Sequence, residues 1–321
     1  MYKVFLVICL LVLMVSSRNP STSWVSRNTD LPELDGLRIH YLYGEPPANE
    51  TAKGTFLLIH GFPYTSHHFR HVIKPLTTAG YRVIAPDYRG AGKSSKPTGF
   101  ADEFRKTTLA ADLFHLVHDV LGVSDKIHVV GHDIGAMVAH AYATRHAEHV
   151  ASVAWGECVM PGTREYDKRK TRMDHFQLMF HRVPDLPEAL LAGREADYVR
   201  FFFFDRQAYN RAALDESVEV YAADYAQPGA VRCGLGLYRA LEDDKAENLE
   251  WRARNGKSAV PALALSGKRS FHAADGLPML SQLYEDVETA EMDEVGHYLA
   301  EEDPVEFVRI LVDWAGRHAG K

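Results

Sequence analysis

Lys126-Ile127-His128-Val129-Val130-Gly131-His132-Asp133-Ile134-Gly135-Ala136 decides the fold. A short apolar run enters a Gly-x-Asp-x-Gly turn and continues into small and apolar residues. That is the strand–turn–helix pattern of a nucleophile elbow, which holds its central side chain out over the edge of a sheet. The glycines are expected to permit the sharp turn. The central residue is an aspartate where such elbows usually carry serine. Aspartate is also a favoured helix N-cap, so its role depends on what the rest of the chain supplies.

Outward from that turn, Phe56 to Ile59 reads as a buried strand ending at His60-Gly61-Phe62-Pro63, and Arg82 to Ala85 as another ending at Pro86-Asp87-Tyr88-Arg89-Gly90. Further short runs stand at Ile127 to Val130, Val150 to Ala154 and Ala262 to Leu265. Short apolar strands alternating with helical sequence predict an α/β chain with a parallel sheet. Ligands of such sheets bind outside the carboxyl ends of the strands, the edge to which His60, Asp87, Asp133 and Glu157 are assigned. Between about Pro161 and Lys257 the strand pattern gives way to helical, aromatic-rich sequence, with Pro184-Asp185-Leu186-Pro187-Glu188 as a helix start. The apolar positions Phe307, Val308, Leu311, Val312 and Trp314 predict an amphipathic helix over Pro304 to Trp314.

The 321 residues are 46% hydrophobic, enough for a sizeable core, and 36 basic against 43 acidic residues give a net charge of −7 without a long single-sign run. Nothing electrostatic points to nucleic acid. Cysteines at 9, 158 and 233 have no metal-ligand spacing, so buried thiols are expected rather than a disulfide framework. Lys3, an apolar run from Val4 to Val15 and then Ser16-Ser17-Arg18 have the layout of a secretory signal peptide over residues 1–17. The expectation is a secreted or membrane-associated protein; a start at Met14 would make it cytoplasmic, and an uncleaved anchor is the third alternative.

Three other features take plain readings. His67, His68 and His71 have helical spacing but no completing carboxylate or cysteine, so surface histidines are expected and no metal. Gly90-Ala91-Gly92-Lys93-Ser94 has Asp87 where a phosphate loop requires its first glycine. Phe201 to Phe204 are read as pocket lining or core packing.

His60-Gly61-Phe62-Pro63, Gly131-His132-Asp133-Ile134-Gly135 and Gly296-His297-Tyr298, in that order and spacing, resemble the epoxide hydrolases of the α/β-hydrolase superfamily. Phe180-His181-Arg182-Val183-Pro184-Asp185-Leu186-Pro187-Glu188 and Leu237-Tyr238-Arg239-Ala240 resemble the same family, so the likeness runs from about Leu37 to Gly316. It implies an α/β-hydrolase fold: a mostly parallel central sheet flanked by helices, with an inserted helical cap. The division expected is a core over residues 30–160, a cap over 161–257 and the rest of the core over 258–318.

An aspartate nucleophile suits attack at saturated carbon, because the alkyl ester it forms can be hydrolysed at its own carbonyl. Strained epoxides and carbon–halogen bonds both fit. Haloalkane dehalogenases commonly follow the nucleophile with tryptophan and fluoroacetate dehalogenases with arginines; this chain has Ile134-Gly135-Ala136-Met137. The resemblance therefore implies an epoxide hydrolase, with a haloalkane or haloacid dehalogenase, or a non-catalytic binding homologue, as alternatives. It assigns Asp133 as nucleophile, His297 as general base and Tyr238 as the acid that protonates the epoxide oxygen. The second ring-opening donor falls to His175 or Gln177. The turn Gly267-Lys268-Arg269-Ser270, where many members carry the acid that orients the histidine, lacks a carboxylate; some members carry it after the preceding strand instead, so the resemblance implies Glu157 for His297, with Asp275 in reserve. The backbone N–H groups of Phe62 and Ile134 are expected to form the oxyanion hole. No cofactor or metal is expected. The expected partner is a small apolar epoxide, with no nucleic acid and no obligatory protein partner; a homodimer is left open.

Overall fold

The computed structural model describes residues 24–319, apart from 32, 33, 35 and 100. The N-terminal segment on which the signal-peptide reading rests lies outside the described residues. Among those described, no helix is long and apolar enough to cross a membrane.

Eight strands form one sheet: β1 (Val25–Leu31), β2 (Leu37–Gly44), β3 (Thr55–Ile59), β4 (Arg82–Asp87), β5 (Ile127–His132), β6 (Val150–Gly156), β7 (Ala262–Gly267) and β8 (Val287–Met292). Their order is β1-β2-β4-β3-β5-β6-β7-β8, with β2 antiparallel to both neighbours and the rest parallel. The five strands expected from apolar runs are all present, each extended by one or more residues. They were legible because a parallel strand is covered on both faces and so reads as a continuous apolar run. In β3, Leu57 and Ile59 face one core and Phe56 and Leu58 the other, all fully buried. Each such side chain contributes about 1.5–3 kcal/mol of burial free energy.

Helices Lys106–Phe114 and Ile134–Arg145 cover the first face; Ile73–Thr78 and Pro304–His318 cover the second. The last begins with Pro304 behind an N-cap, the Asp303 side chain accepting from Glu306 N–H at 3.0 Å. β1 and β2 escaped the sequence reading. β1 and β8 are sheet edges with mostly exposed, polar side chains, the composition that keeps an edge from pairing with another chain.

Between β6 and β7 the chain runs as helices and turns, including Arg164–Arg169, Leu186–Leu191, Asp215–Tyr225, Ala230–Arg239 and Leu241–Asn255. Buried polar contacts tie this segment to the sheet's carboxyl edge. Lys106 Nζ donates to Asp244 at 2.7 Å and to the Leu237 carbonyl at 2.6 Å. The Glu301 carboxylate accepts from His68, Arg70, Ser217 and Tyr221 at 3.0, 2.7, 2.5 and 2.6 Å. His68 is therefore not a surface histidine as expected: it is fully buried, holding that carboxylate. No metal-binding cluster occurs among the described residues. Phe204 packs with Tyr64 and Tyr298, whereas Phe201 is exposed. Cys158 and Cys233 are buried free thiols.

Candidate active site

β5 ends at His132 and helix Ile134–Arg145 begins at once, leaving Asp133 between them at φ 55, ψ −122. A non-glycine residue there stores roughly 1–3 kcal/mol, which the surrounding core must over-determine. The strain sits in the aspartate itself, and the flanking glycines serve a different end from the one expected. A Cβ on Gly131 would lie 2.3 Å from the Gly135 carbonyl oxygen, and one on Gly135 would lie 2.2 Å from that of Ile59. These glycines let the helix approach the sheet closely.

The turn aims the Asp133 carboxylate at two backbone donors. Oδ1 accepts from Phe62 N–H at 3.0 Å, and Ile134 N–H bonds the same carboxylate. His297, in the loop after β8, places Nε2 3.8 Å from Asp133 Oδ2 and Nδ1 3.1 Å from Glu157 Oε2. Glu157 follows β6 with φ 62; its other oxygen accepts from Gly267 N–H at 2.9 Å, and Ser270 Oγ donates to Oε2. A carboxylate can only accept, so Nδ1 carries the imidazole proton and Nε2 is the free acceptor. Tyr64 hydroxyl donates to Nε2 at 3.1 Å. The structure thus brings Asp133, His297 and Glu157 into one chain, with the Phe62 and Ile134 amides on the aspartate.

Burial governs the charges. It pushes the carboxyls of Asp133 and Glu157 each up to about 7 and holds His297 well below its ordinary value, where nearby His272 and His68 push the same way. His297 is therefore a neutral base at neutral pH, poised to take a proton.

Tyr238 is buried on helix Ala230–Arg239, its ring edge-on to Phe62 at 5.3 Å and to His181 at 4.3 Å. Burial raises its hydroxyl well above the ordinary tyrosine range, and the Asp133 charge adds to that. His175 bonds Asp174 through Nδ1 at 3.0 Å and faces His272 at 5.2 Å. Gln177 accepts from Arg206 at 3.4 Å. Neither joins the Asp133–His297–Glu157 chain. Asp275, the reserve acid, needs correction: its carboxylate is taken by Arg169 at 2.8 Å and His272 at 3.3 Å, so the acid on His297 is Glu157.

Three contributors were missed by sequence reasoning. Tyr64, one residue past His60-Gly61-Phe62-Pro63, reaches the base; inspecting each side chain of that loop could have raised it. Ser270 lies in the turn that was read only for its missing carboxylate, and it supports Glu157 instead. Glu302, five residues after His297, accepts from the backbone N–H groups of Gly296, Tyr298, Tyr209 and Asn210 at 2.9, 2.9, 3.0 and 2.8 Å. It pins the loop that carries the base, and no local pattern announces it.

The sheet order and the Asp133 elbow place the chain among the α/β hydrolases by construction. Comparison with known proteins gives the family. Residues 54–304 match the α/β hydrolase fold family. The chain is 30% identical over 281 residues to a soluble epoxide hydrolase of Corynebacterium sp., covering 84% of this chain and 91% of the relative. It is 35% identical over 194 residues to the AB hydrolase superfamily protein YfhM of Bacillus subtilis, 58% of this chain and 64% of that protein. The crystal structure of Cfl2 from Burkholderia cenocepacia matches with a TM-score of 0.80 and 30% identity over 91% of this chain and 96% of the other. The chain belongs to the α/β-hydrolase family and, within it, to the epoxide hydrolases.

Proposed function

We propose that this chain hydrolyses a small apolar epoxide to a vicinal diol through a covalent ester on Asp133. The observation that carries the reading is the chain Asp133–His297–Glu157, with the Phe62 and Ile134 amides on the aspartate. Asp133 attacks one epoxide carbon, the carbon–oxygen bond breaks, and Tyr238 protonates the departing oxygen. Water then attacks Cγ of the ester while His297 Nε2 takes its proton. Glu157 holds the imidazole in the required tautomer and stabilises the imidazolium. The two amides stabilise the oxyanion that forms on Cγ. For this step Tyr64 must yield Nε2 to the water.

The division assigned to this chemistry is a core of residues 30–160 and 258–318 under a helical cap of 161–257. The walls beside Phe62, namely Pro63, Leu191, Tyr198, Val199, Tyr225 and Val231 with Glu195 as their one charged member, are mostly apolar, which favours an apolar substrate. The test is a trap. In a His297→Ala variant treated with styrene oxide, the intact mass should rise by the full mass of the epoxide, and the adduct should map to Asp133. No adduct across a panel of epoxides, or an adduct formed from haloalkanes only, would overturn the reading.

A further inference from the structure

His175 bonds Asp174 through Nδ1 and the Gln177 side-chain oxygen accepts from Arg206, and neither contact reaches Asp133. We propose that Tyr298, the residue immediately after the base, is the second acid on the epoxide oxygen, acting with Tyr238. This rests on the reading that Asp133 opens an epoxide.

Tyr298 is fully buried, and its hydroxyl has no hydrogen-bond partner among the described residues. Buried phenols ordinarily find one, so an orphaned hydroxyl next to the catalytic histidine calls for a ligand. The ring is fixed rather than loose. It stands edge-on to His297 at 5.0 Å and to Tyr64 at 5.5 Å, and packs on Phe204 at 4.6 Å. Its backbone N–H is held by Glu302 at 2.9 Å. After burial, the strongest influence on this hydroxyl is the Asp133 charge, as it is for Tyr238. Arg206 acts on the same hydroxyl in the opposite sense, favouring negative charge there. Two buried tyrosines, one on helix Ala230–Arg239 and one beyond β8, therefore both feel the charge of a single carboxylate.

Two other tyrosines compete. The Tyr64 hydroxyl is committed to His297 Nε2 at 3.1 Å. Tyr88 also has an unpartnered hydroxyl, but its ring is stacked on His60 at 4.1 Å, and Tyr225 outweighs Asp133 among its neighbours.

In the step itself, an Asp133 oxygen bonds to the epoxide carbon as the carbon–oxygen bond breaks, and its electron pair goes to the ring oxygen. That alkoxide is more basic than any phenolate, so it takes the proton of Tyr298 or Tyr238 and leaves a tyrosinate. Hydrolysis of the ester adds one water and frees one proton as Asp133 re-ionises. That proton returns to the tyrosinate, so the sum is epoxide plus water to diol.

The test separates ester formation from ester hydrolysis. In a Glu157→Gln background, which slows hydrolysis so that adduct accumulates, quenched-flow intact mass follows the rate of adduct appearance with styrene oxide. Adding Tyr298→Phe should slow formation roughly 10- to 100-fold, at or below the ordinary yield of a general acid because Tyr238 remains. It should leave decay of the accumulated adduct within about twofold, a split that a merely structural defect would not produce. Tyr238→Phe alone should keep a measurable formation rate, and Tyr238→Phe with Tyr298→Phe should lose it. Formation at the parental rate in Tyr298→Phe would overturn the proposal. So would complete loss in Tyr238→Phe alone, or a loss in Tyr88→Phe instead. Absence of any adduct in the Glu157→Gln parent would overturn the underlying reading of Asp133.

Discussion

Replacing Asp133 with asparagine should stabilise the protein. Burial raises the Asp133 carboxyl from 3.8 to about 7. A carboxyl whose folded value is raised favours folding below its unfolded value, and that contribution is lost as pH rises through the folded value, because ionisation then occurs more easily in the unfolded chain. About three pH units at 1.36 kcal/mol each set a ceiling of about 4 kcal/mol. The side chain keeps 19% exposure to the cleft, so screening reduces this. The Asp133→Asn variant has no charge to lose, and its side-chain oxygen can still accept from Phe62 and Ile134 N–H. It should exceed the parent by about 1–3 kcal/mol at pH 8, or about 2–6 °C in melting temperature, and match it near pH 4. Urea unfolding at both pH values measures the difference, with the mass of the Asp133 peptide verifying that the amide survives. A variant no more stable than the parent at pH 8, or stabilised equally at both pH values, would refute the reasoning.

The same carboxyl sets a pH dependence: ester formation needs ionised Asp133, so its single-turnover rate should fall about tenfold per pH unit below about 7 and level off above. A rate unchanged down to pH 5 would contradict it. Glu157→Gln should slow hydrolysis of the ester more than its formation, read from the two phases of a single turnover; wild-type turnover would remove Glu157 from the chain. Lys106→Met leaves the buried Asp244 carboxylate unpaired and frees the Leu237 carbonyl beside Tyr238. It should cost about 3–5 kcal/mol in urea unfolding, and a loss below about 1 kcal/mol would contradict this. Gly135→Ala would put a methyl 2.2 and 2.3 Å from the Ile59 and His60 carbonyl oxygens, backbone atoms that cannot swing away. A loss of about 3 kcal/mol or more is expected, and a soluble variant with parental melting temperature would refute it.

What was legible followed from local signals. Buried parallel strands announce themselves as apolar runs, and Asp133, His297 and the Phe62 loop are marked by glycines and by the order of their motifs. Edge strand β1 escaped because its side chains mostly face water and carry no such run. Glu157 was reached through the family's alternative acid position, once the usual turn was found to lack a carboxylate, and Ser270 in that turn turns out to bond it. The role of Glu301 depends on contacts across the fold, with Ser217 and Tyr221 meeting it, and sequence spacing carries no trace of these. His68 was misread for the same reason: its buried partner lies 233 residues away. The second ring-opening donor was sought at a family position, His175 or Gln177; the buried, unpartnered hydroxyl of Tyr298 beside His297 carries no sequence pattern and is visible only in the structure.

The central claim is that Asp133 becomes an ester and that water attacks its carbonyl carbon. A single turnover in heavy-oxygen water, with enzyme in excess over styrene oxide, tests it most directly. Water's oxygen should then be found in the Asp133 side chain, while the diol from that first turnover carries one oxygen from the epoxide and one from the aspartate. Heavy oxygen in the first-turnover diol, with none in Asp133, would mean direct attack of water on the ring and would contradict the account.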